Sequence, residues 1–188
     1  MTTQKSAEDR LSGLAPVVDA QSRILILGTF PSQLSLKRGE YYANPQNQFW
    51  KIMENLFEIP AHSPYHERIR ELQSEHIALW DVIRTCRRTG SSDAAIIDDE
   101  PNDLPGFLEH HPQLRYILLN GKRGFPWIRR FVKADQLPHH LVIECLPSTS
   151  PANARYTLEE KIRKWQILKD FVGQGGEQAA ELVMQKEQ

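Results

Sequence analysis

The sequence predicts an α/β domain with a central, mainly parallel, four-stranded sheet flanked by helices. Short continuous apolar runs recur along it, each bounded by turn residues, which is how strands buried on both faces read. Between the runs lie stretches with apolar residues at i, i+3/i+4 and i+7, the spacing of one helix face. Strands that alternate with helices are best joined as parallel neighbours through crossovers. The 188 residues show no internal repeat or linker, so one domain is expected.

Residues 1–22 are polar and unpatterned apart from Leu11, Leu14 and the Pro16-Val17-Val18 step, and read as an N-terminal arm. RILILG (23–28) is the first buried strand, ending in Gly28; IALWDVI (77–83), LRYILLN (114–120) and HLVIECLP (140–147) repeat the pattern. Phe49, Trp50, Met53, Leu56 and Phe57 fall on one helical stripe and read as core. His110-His111 precede a proline and mark a helix end. Thr157 with Glu160 forms a capping box ahead of Leu158, Ile162, Trp165 and Phe171. Three glycines within residues 173–176 should end that helix, which sets the domain at 23–172 and leaves 173–188 as a loose C-terminal tail.

Composition narrows the class. Apolar residues make up 40% of the chain and charged residues 25%, both ordinary for a globular domain, which excludes disordered, collagen-like and coiled-coil chains. No run approaches the ~20 apolar residues of a membrane span, and MTTQKSAEDR lacks the apolar centre of a signal peptide. Two cysteines, Cys86 and Cys145, make neither a disulfide framework nor a zinc ribbon. A reduced, cytoplasmic protein with no membrane partner is expected. The formal charge of −1 exerts no global pull on nucleic acid. Locally, however, residues 110–134 hold Arg115, Lys122, Arg123, Arg129, Arg130 and Lys133 with no acid, and Arg84, Arg87 and Arg88 form a second basic cluster. Such segregation permits a phosphate-facing surface, although a solvated helix face has the same composition.

Ligands of open parallel sheets bind outside the carboxyl ends of the strands. Three loops qualify: residues 28–50, Asn120-Gly121, and PSTSPAN (147–153). All are rich in Pro, Gly, Ser, Thr and Asn, whose amides and hydroxyls suit a phosphodiester or a nucleobase edge. Other chemistries fail. There is no G-x-G-x-x-G and no Walker loop; His62 and His66 flank Pro64 without an HExxH; Ser148 and Ser150 lack a nucleophile elbow; Cys145 sits inside an apolar strand and reads as core.

The segments ILILGTFPS, YYANPQNQFW and LPSTSPAN, in this order and spacing, resemble the uracil-DNA glycosylase superfamily, and most closely its hypoxanthine-DNA (deoxyinosine) glycosylase family. ALWDVI, CRRTGSSDAAI and ILLNGKRGF extend the resemblance over residues 23–170. Relatives of the mismatch-specific type carry a His where this chain has Asn44, and an Asn soon after the first strand where it reads Gly28-Thr29-Phe30-Pro31. The missing Asn makes Asn47 the catalytic residue that the resemblance implies.

The chemistry agrees with that residue type. Losing a base passes through an oxocarbenium-like sugar and a departing anionic base, so a neutral amide can help by positioning water and contacting base or sugar. Read without the resemblance, Asn47 is an N-cap for the helix from Phe49, and the two roles can partly coexist. The resemblance implies a base pocket of Thr29, Phe30, Pro31, Tyr42, Asn44, Asp81 and Asn120. Tyr42 would stack on an extruded base, or merely cover the helix start; Phe30 would offer its edge or backbone N–H; Asn120 would read the base, or simply form an Asn-Gly turn. For DNA binding it implies Ser148, Thr149, Ser150, Pro151, Ala152, Asn153 and Arg155. Hydroxyls there would meet phosphates, and Pro151-Ala152-Asn153 would fill the vacated stack. Arg123, Arg129 and Arg130 are the basic candidates.

The expectation is a repair enzyme that removes deaminated bases, hypoxanthine before others, from double- or single-stranded DNA. It would act as a monomer near the nucleoid, with no cofactor and no metal, and with no lysine suited to a Schiff base. The competing readings are a uracil- or mismatch-preferring glycosylase, a silent nucleic-acid-binding domain, and a nucleoside hydrolase.

Overall fold

A computed structural model describes residues 10–133 and 136–173. In chain order the elements are β1 (Leu11–Ser12), β2 (Ile24–Gly28), α1 (Gln33–Arg38), α2 (Phe49–Phe57), α3 (Tyr65–Ser74), β3 (Ile77–Asp81), β4 (Ile83–Arg87), β5 (Ile97–Pro101), α4 (Leu104–His110), β6 (Tyr116–Asn120), α5 (Gly124–Phe131), β7 (Val142–Leu146), α6 (Leu158–Trp165) and α7 (Ile167–Gly173). Four strands form a wholly parallel sheet in the order β3-β2-β6-β7. These are the four apolar runs of the sequence.

The sheet is a wall between two cores because successive side chains on a strand point to opposite faces. Ile24, Ile26, Ile77, Leu79, Tyr116 and Leu118 pack against Phe49, Met53, Leu56, Leu72, Trp165, Leu168 and Phe171 of α2, α3, α6 and α7. Leu25, Leu27, Ala78, Trp80, Ile117 and Leu119 pack on the other face against Leu104 and Leu108 of α4 and Ile128 of α5. The stripe on α2 is buried as its spacing requires, and the Thr157–Glu160 capping box opens α6.

Four features depart from the sequence reading. The run 77–83 is not one strand. β3 stops at Asp81, Val82 N–H donates to the Gly28 carbonyl at 2.9 Å, and Ile83 starts β4 in a different sheet. That second sheet, antiparallel in the order β1-β4-β5, has no counterpart among the expected elements. Residues 10–22, expected as a free arm, are attached to the domain: Leu11 pairs with Cys86, and Val17 exchanges backbone hydrogen bonds with Leu79 at 2.9 Å each way. The final helix is also broken, at Gln166, into α6 and α7. Helix α7 is described as far as Gly173, and both the helix end expected at the glycine cluster and the tail at 173–188 lie at or outside the limit of the described residues.

Candidate active site

The carboxyl ends of β2, β3, β6 and β7 open into a cavity of about 740 Å³. Its wall takes in Gly28, Thr29, Phe30, Pro31, Tyr41, Tyr42, Asn44, Asn47, Asp81, Asp93, Asn120 and residues 145–153, with Arg123, Arg155 and Lys164 also contributing. All seven base-pocket candidates and Asn47 therefore share one space. So do Arg123 and the whole PSTSPAN loop.

The loop before α2 is held from three helices. Ser35 Oγ on α1 accepts from Ala43 N–H at 3.2 Å, Trp50 Nε1 on α2 donates to the Tyr41 carbonyl at 3.1 Å, and Tyr65 Oη on α3 accepts from Tyr41 N–H at 3.0 Å. Tyr42 occupies the left-handed region with φ 57°, a conformation tolerated here because the neighbouring backbone is tied down on both sides. Its ring stacks on Phe49 with centroids 3.9 Å apart, so one face is already covered. Tyr41 is the more buried of the pair, and its hydroxyl donates to the Ala15 carbonyl at 3.1 Å. Burial pushes both phenols above the usual tyrosine range, so both are neutral donors at physiological pH.

Asn44 and Asn47 bracket a tight turn: Asn47 N–H donates to the Asn44 carbonyl at 2.8 Å, and Asn44 Oδ1 accepts from Gln46 N–H at 2.9 Å. Asn47 Oδ1 accepts from Phe49 N–H at 2.9 Å, whereas Gln48, next to the helix, makes no side-chain cap bond. Asn47 is thus a helix cap and a wall of the cavity at once. Its second oxygen lone pair and its NH2 are not used by these bonds.

The PSTSPAN loop is locked from beneath. Asn120 Nδ2 donates to Thr149 Oγ1, and Asn120 Oδ1 accepts from Thr149 N–H, both at 2.9 Å. The Thr149 carbonyl accepts from Gln48 N–H at 3.0 Å. Gly121, at φ 100°, lets Ser148 approach so closely that a Cβ would lie 2.8 Å from Ser148 Cβ. Lys161 of α6, only 1% exposed, donates through Nζ to Gln48 Oε1 at 2.7 Å and to the Asn153 carbonyl at 3.1 Å. Asn153 Nδ2 closes the loop on the Ser148 carbonyl at 3.0 Å.

One expectation needs correction here. Thr149 is fully buried, so its hydroxyl anchors the loop and does not meet a phosphate. One N–H and one oxygen lone pair of the Asn120 amide are committed to Thr149, so Asn120 braces this loop while it also lines the cavity. Pro151, Ala152 and Arg155 are exposed, whereas Ser148 and Ser150 are half-buried.

Phe30 lines the cavity, and its ring also packs with Ile83 and Cys86 under the Arg88 guanidinium, 4.9 Å from the ring centroid. Arg88 is buried and donates through Nη2 to the Pro31 carbonyl. Arg84 pairs with Glu100 at 2.9 Å and Arg87 with Asp98 at 3.4 Å, so the second basic cluster serves the antiparallel sheet. Asp93, which sequence reasoning did not single out, reaches the cavity beside Thr29 and Arg123 from a short 3-10 turn at Asp93–Ala95. Its position in the Ser91-Ser92-Asp93 turn, separated from the Arg cluster by Thr89-Gly90, was the available signal.

The basic stripe divides. Arg123 borders the cavity, Phe125, Arg129 and Arg130 line an adjoining open groove of about 750 Å³, and Lys122 and Cys145 border both. Arg130 is partly spent on Asp99 at 3.5 Å. Among the described residues, no helix is long and apolar enough to cross a membrane.

Fold and site together define an α/β domain with an open cavity, walled by aromatic, amide and hydroxyl groups, at the carboxyl ends of a parallel sheet. The model of the uracil DNA glycosylase superfamily matches residues 15–172, and the chain belongs to that superfamily. It is 34% identical over 164 residues to a hypoxanthine DNA glycosylase of Methanosarcina acetivorans, covering 83% of this chain and 96% of the relative. A Methanosarcina barkeri protein of the same name is 35% identical over 113 residues, 60% of this chain and 72% of the relative. Among solved structures, a solution NMR structure of a provisionally assigned uracil DNA glycosylase from M. acetivorans superposes with a TM-score of 0.68. It is 32% identical, covering 85% of this chain and 99% of that one.

Proposed function

We propose that the chain is a monofunctional DNA glycosylase that hydrolyses the N-glycosidic bond of a deaminated base, hypoxanthine before others, and leaves an abasic site. The cavity carries this reading: lined by aromatic, amide and hydroxyl groups, its volume of about 740 Å³ exceeds that of a lone base and admits an extruded nucleotide together with part of the flanking strand, in a chain of this superfamily. The two relatives named hypoxanthine DNA glycosylase support the choice of base.

The glycosidic bond is out of reach inside a duplex, so the nucleotide swings out into the cavity, at lower cost where it is mispaired. The Tyr42 ring, backed by Phe49, gives a firm wall against which a base can lie. Asn47 cannot take a full proton; it orients the attacking water through its free lone pair or holds the sugar through its NH2. In this reading the Pro151-Ala152 tip fills the gap left in the helix and Arg123 steadies the adjoining phosphate; the exposure of the tip and the position of Arg123 at the cavity support both roles. The protein acts as a monomer on DNA in the cytoplasm, associated with the nucleoid.

The test is a panel of oligonucleotides, each carrying one hypoxanthine, uracil or xanthine in single- or double-stranded form, incubated with the protein and then cleaved at abasic sites with alkali. Cleavage fastest at hypoxanthine is expected; a faster uracil reaction would overturn the base assignment. Lys122 and Lys164 border the cavity and are exposed. Borohydride trapping of a covalent protein–DNA product through either would overturn the monofunctional assignment.

A further inference from the structure

We propose that Asp81, in its carboxylic acid form, is the catalytic acid that neutralises the departing base; this rests on the glycosylase reading above. Asp81 ends β3 next to the end of β2, is only 5% exposed, and contributes to the cavity wall. Its Oδ2 has no hydrogen-bond partner among the described residues. A side chain at position 28 would collide with Oδ1, so Gly28 makes the room in which this carboxyl lies. A buried carboxyl with no partner is costly unless it awaits a ligand or carries a proton.

The charges around it favour the proton. Asp93 faces Asp81 from the 3-10 turn, and Tyr41 and Tyr42 face it from the loop before α2. Arg88, after β4, is the opposing cation, yet it makes no ion pair with Asp81 and is directed to the Pro31 carbonyl. Burial, followed by Asp93 and opposed by Arg88, raises Asp81 from the usual carboxylate range to about 7. Asp93 is itself engaged with the Thr29 side chain, which leaves Asp81 as the uncommitted acid.

The chemistry needs such a group. When the bond between C1′ and the base nitrogen breaks, its electron pair leaves with the base, and a carboxylate beside that pair would repel it. A carboxylic acid instead gives its proton to a ring nitrogen or the carbonyl oxygen of the purine, and the base departs neutral. Water adds to C1′, and the proton it sheds returns through solvent to the Asp81 carboxylate. The Asn47 amide cannot supply that proton, and no histidine lines the cavity among the described residues.

Single-turnover rates on a hypoxanthine duplex, measured from pH 5 to 9 for wild type, Asp81→Asn and Asp93→Asn beside thermal melts, test the assignment. Wild type should lose rate as pH rises through about 7. Asp81→Asn keeps the shape and a hydrogen-bond donor but has no proton to give. It should be slower by about 100-fold at pH 6, the lower range for general acid catalysis, and should lack the basic limb. Asp93→Asn removes a like charge and should move that limb to lower pH, which a merely structural Asp81 would not do. Asp81→Asn within about threefold of wild type at pH 6, or a limb unmoved by Asp93→Asn, would overturn the proposal. Should Asp81→Asn not fold, the Asp93→Asn profile decides alone. Wild type inactive on every base in the panel defeats the glycosylase reading itself, a result distinct from either.

Discussion

Asn47→Ala separates two roles that meet in one amide. The first is structural. Asn47 Oδ1 accepts from Phe49 N–H at 2.9 Å, and losing such a cap costs about 1 kcal/mol. The helix behind it is secured independently, since Phe49, Ile52 and Met53 are fully buried, and the Asn44–Asn47 turn is closed by backbone atoms. A domain stable by about 5–15 kcal/mol that loses about 1 kcal/mol stays almost wholly folded, so the cap alone cannot change the rate by more than a trivial factor. The second role is in the reaction. Removing one preorganised polar contact to a transition state costs on the order of 10²-fold, about 2.7 kcal/mol of barrier.

These two magnitudes fall on different axes. Thermal or urea melts read the first, and single-turnover cleavage of a hypoxanthine duplex per folded molecule reads the second. Asn47→Asp adds an internal control: aspartate caps as well as asparagine, so it should melt like wild type, yet it loses the NH2 and adds a charge next to the departing base. Its rate should fall at least as far as that of Asn47→Ala. Folded Asn47→Ala cleaving within about threefold of wild type would refute the catalytic role and leave Asn47 a cap.

Asp81 also gives the fold a pH dependence. Its proton affinity is raised in the folded state, so the folded chain binds more protons than the unfolded one between pH 4 and 7, and stability falls as pH rises across that window. Between pH 5 and 8 that fall amounts to about 3 kcal/mol, and urea melts at the two pH values should show Asp81→Asn removing most of it. Gly28→Ala sets a methyl group against Asp81 Oδ1; a loss of about 1–3 kcal/mol is expected in urea melts, together with a slowed cleavage rate. Replacing Arg123, Arg129 and Arg130 together by Ala should weaken DNA binding and reduce the slope of log K against log salt by about 2. Arg130 adds little because Asp99 already holds it, and an unchanged slope would mean that DNA is bound elsewhere. Cleavage should persist in chelator, and dependence on a divalent ion would refute a hydrolysis carried by Asn47 and Asp81 alone.

The parallel sheet was legible because each of its strands is a local signal: a run such as ILILG has few options other than burial on both faces. The antiparallel sheet carries no such signal. β1 is two residues long, β5 reads IDDEP, and Leu11 meets Cys86 only through a distant pairing. Within the site, residue type pointed to the right loops but not to the direction of each side chain. Thr149 and Ser150 look alike in a sequence, yet the first faces Asn120 inside the protein and the second is half-buried at the cavity. Arg88 looks like a surface cation beside Arg87, but strand geometry sends it under Pro31. Resemblance alone suffices to put Asp81 at the cavity, but its lack of a partner depends on Gly28, Arg88 and Asp93, which come from three separate segments.

The contacts of Lys161 bear on how this protein should be surveyed by mutation. One ammonium joins the residue following Asn47 to the base of the exposed tip at 151–152, so the part that grips the strand and the part that holds the base cannot drift apart independently. A substitution on α6 would therefore look, in any screen scored by cleavage alone, like damage to the reacting groups themselves. The signature that tells them apart is breadth. Loosening the tether should slow the reaction by a similar factor on every base tried, whereas loss of a group that touches the base should alter the ranking among them.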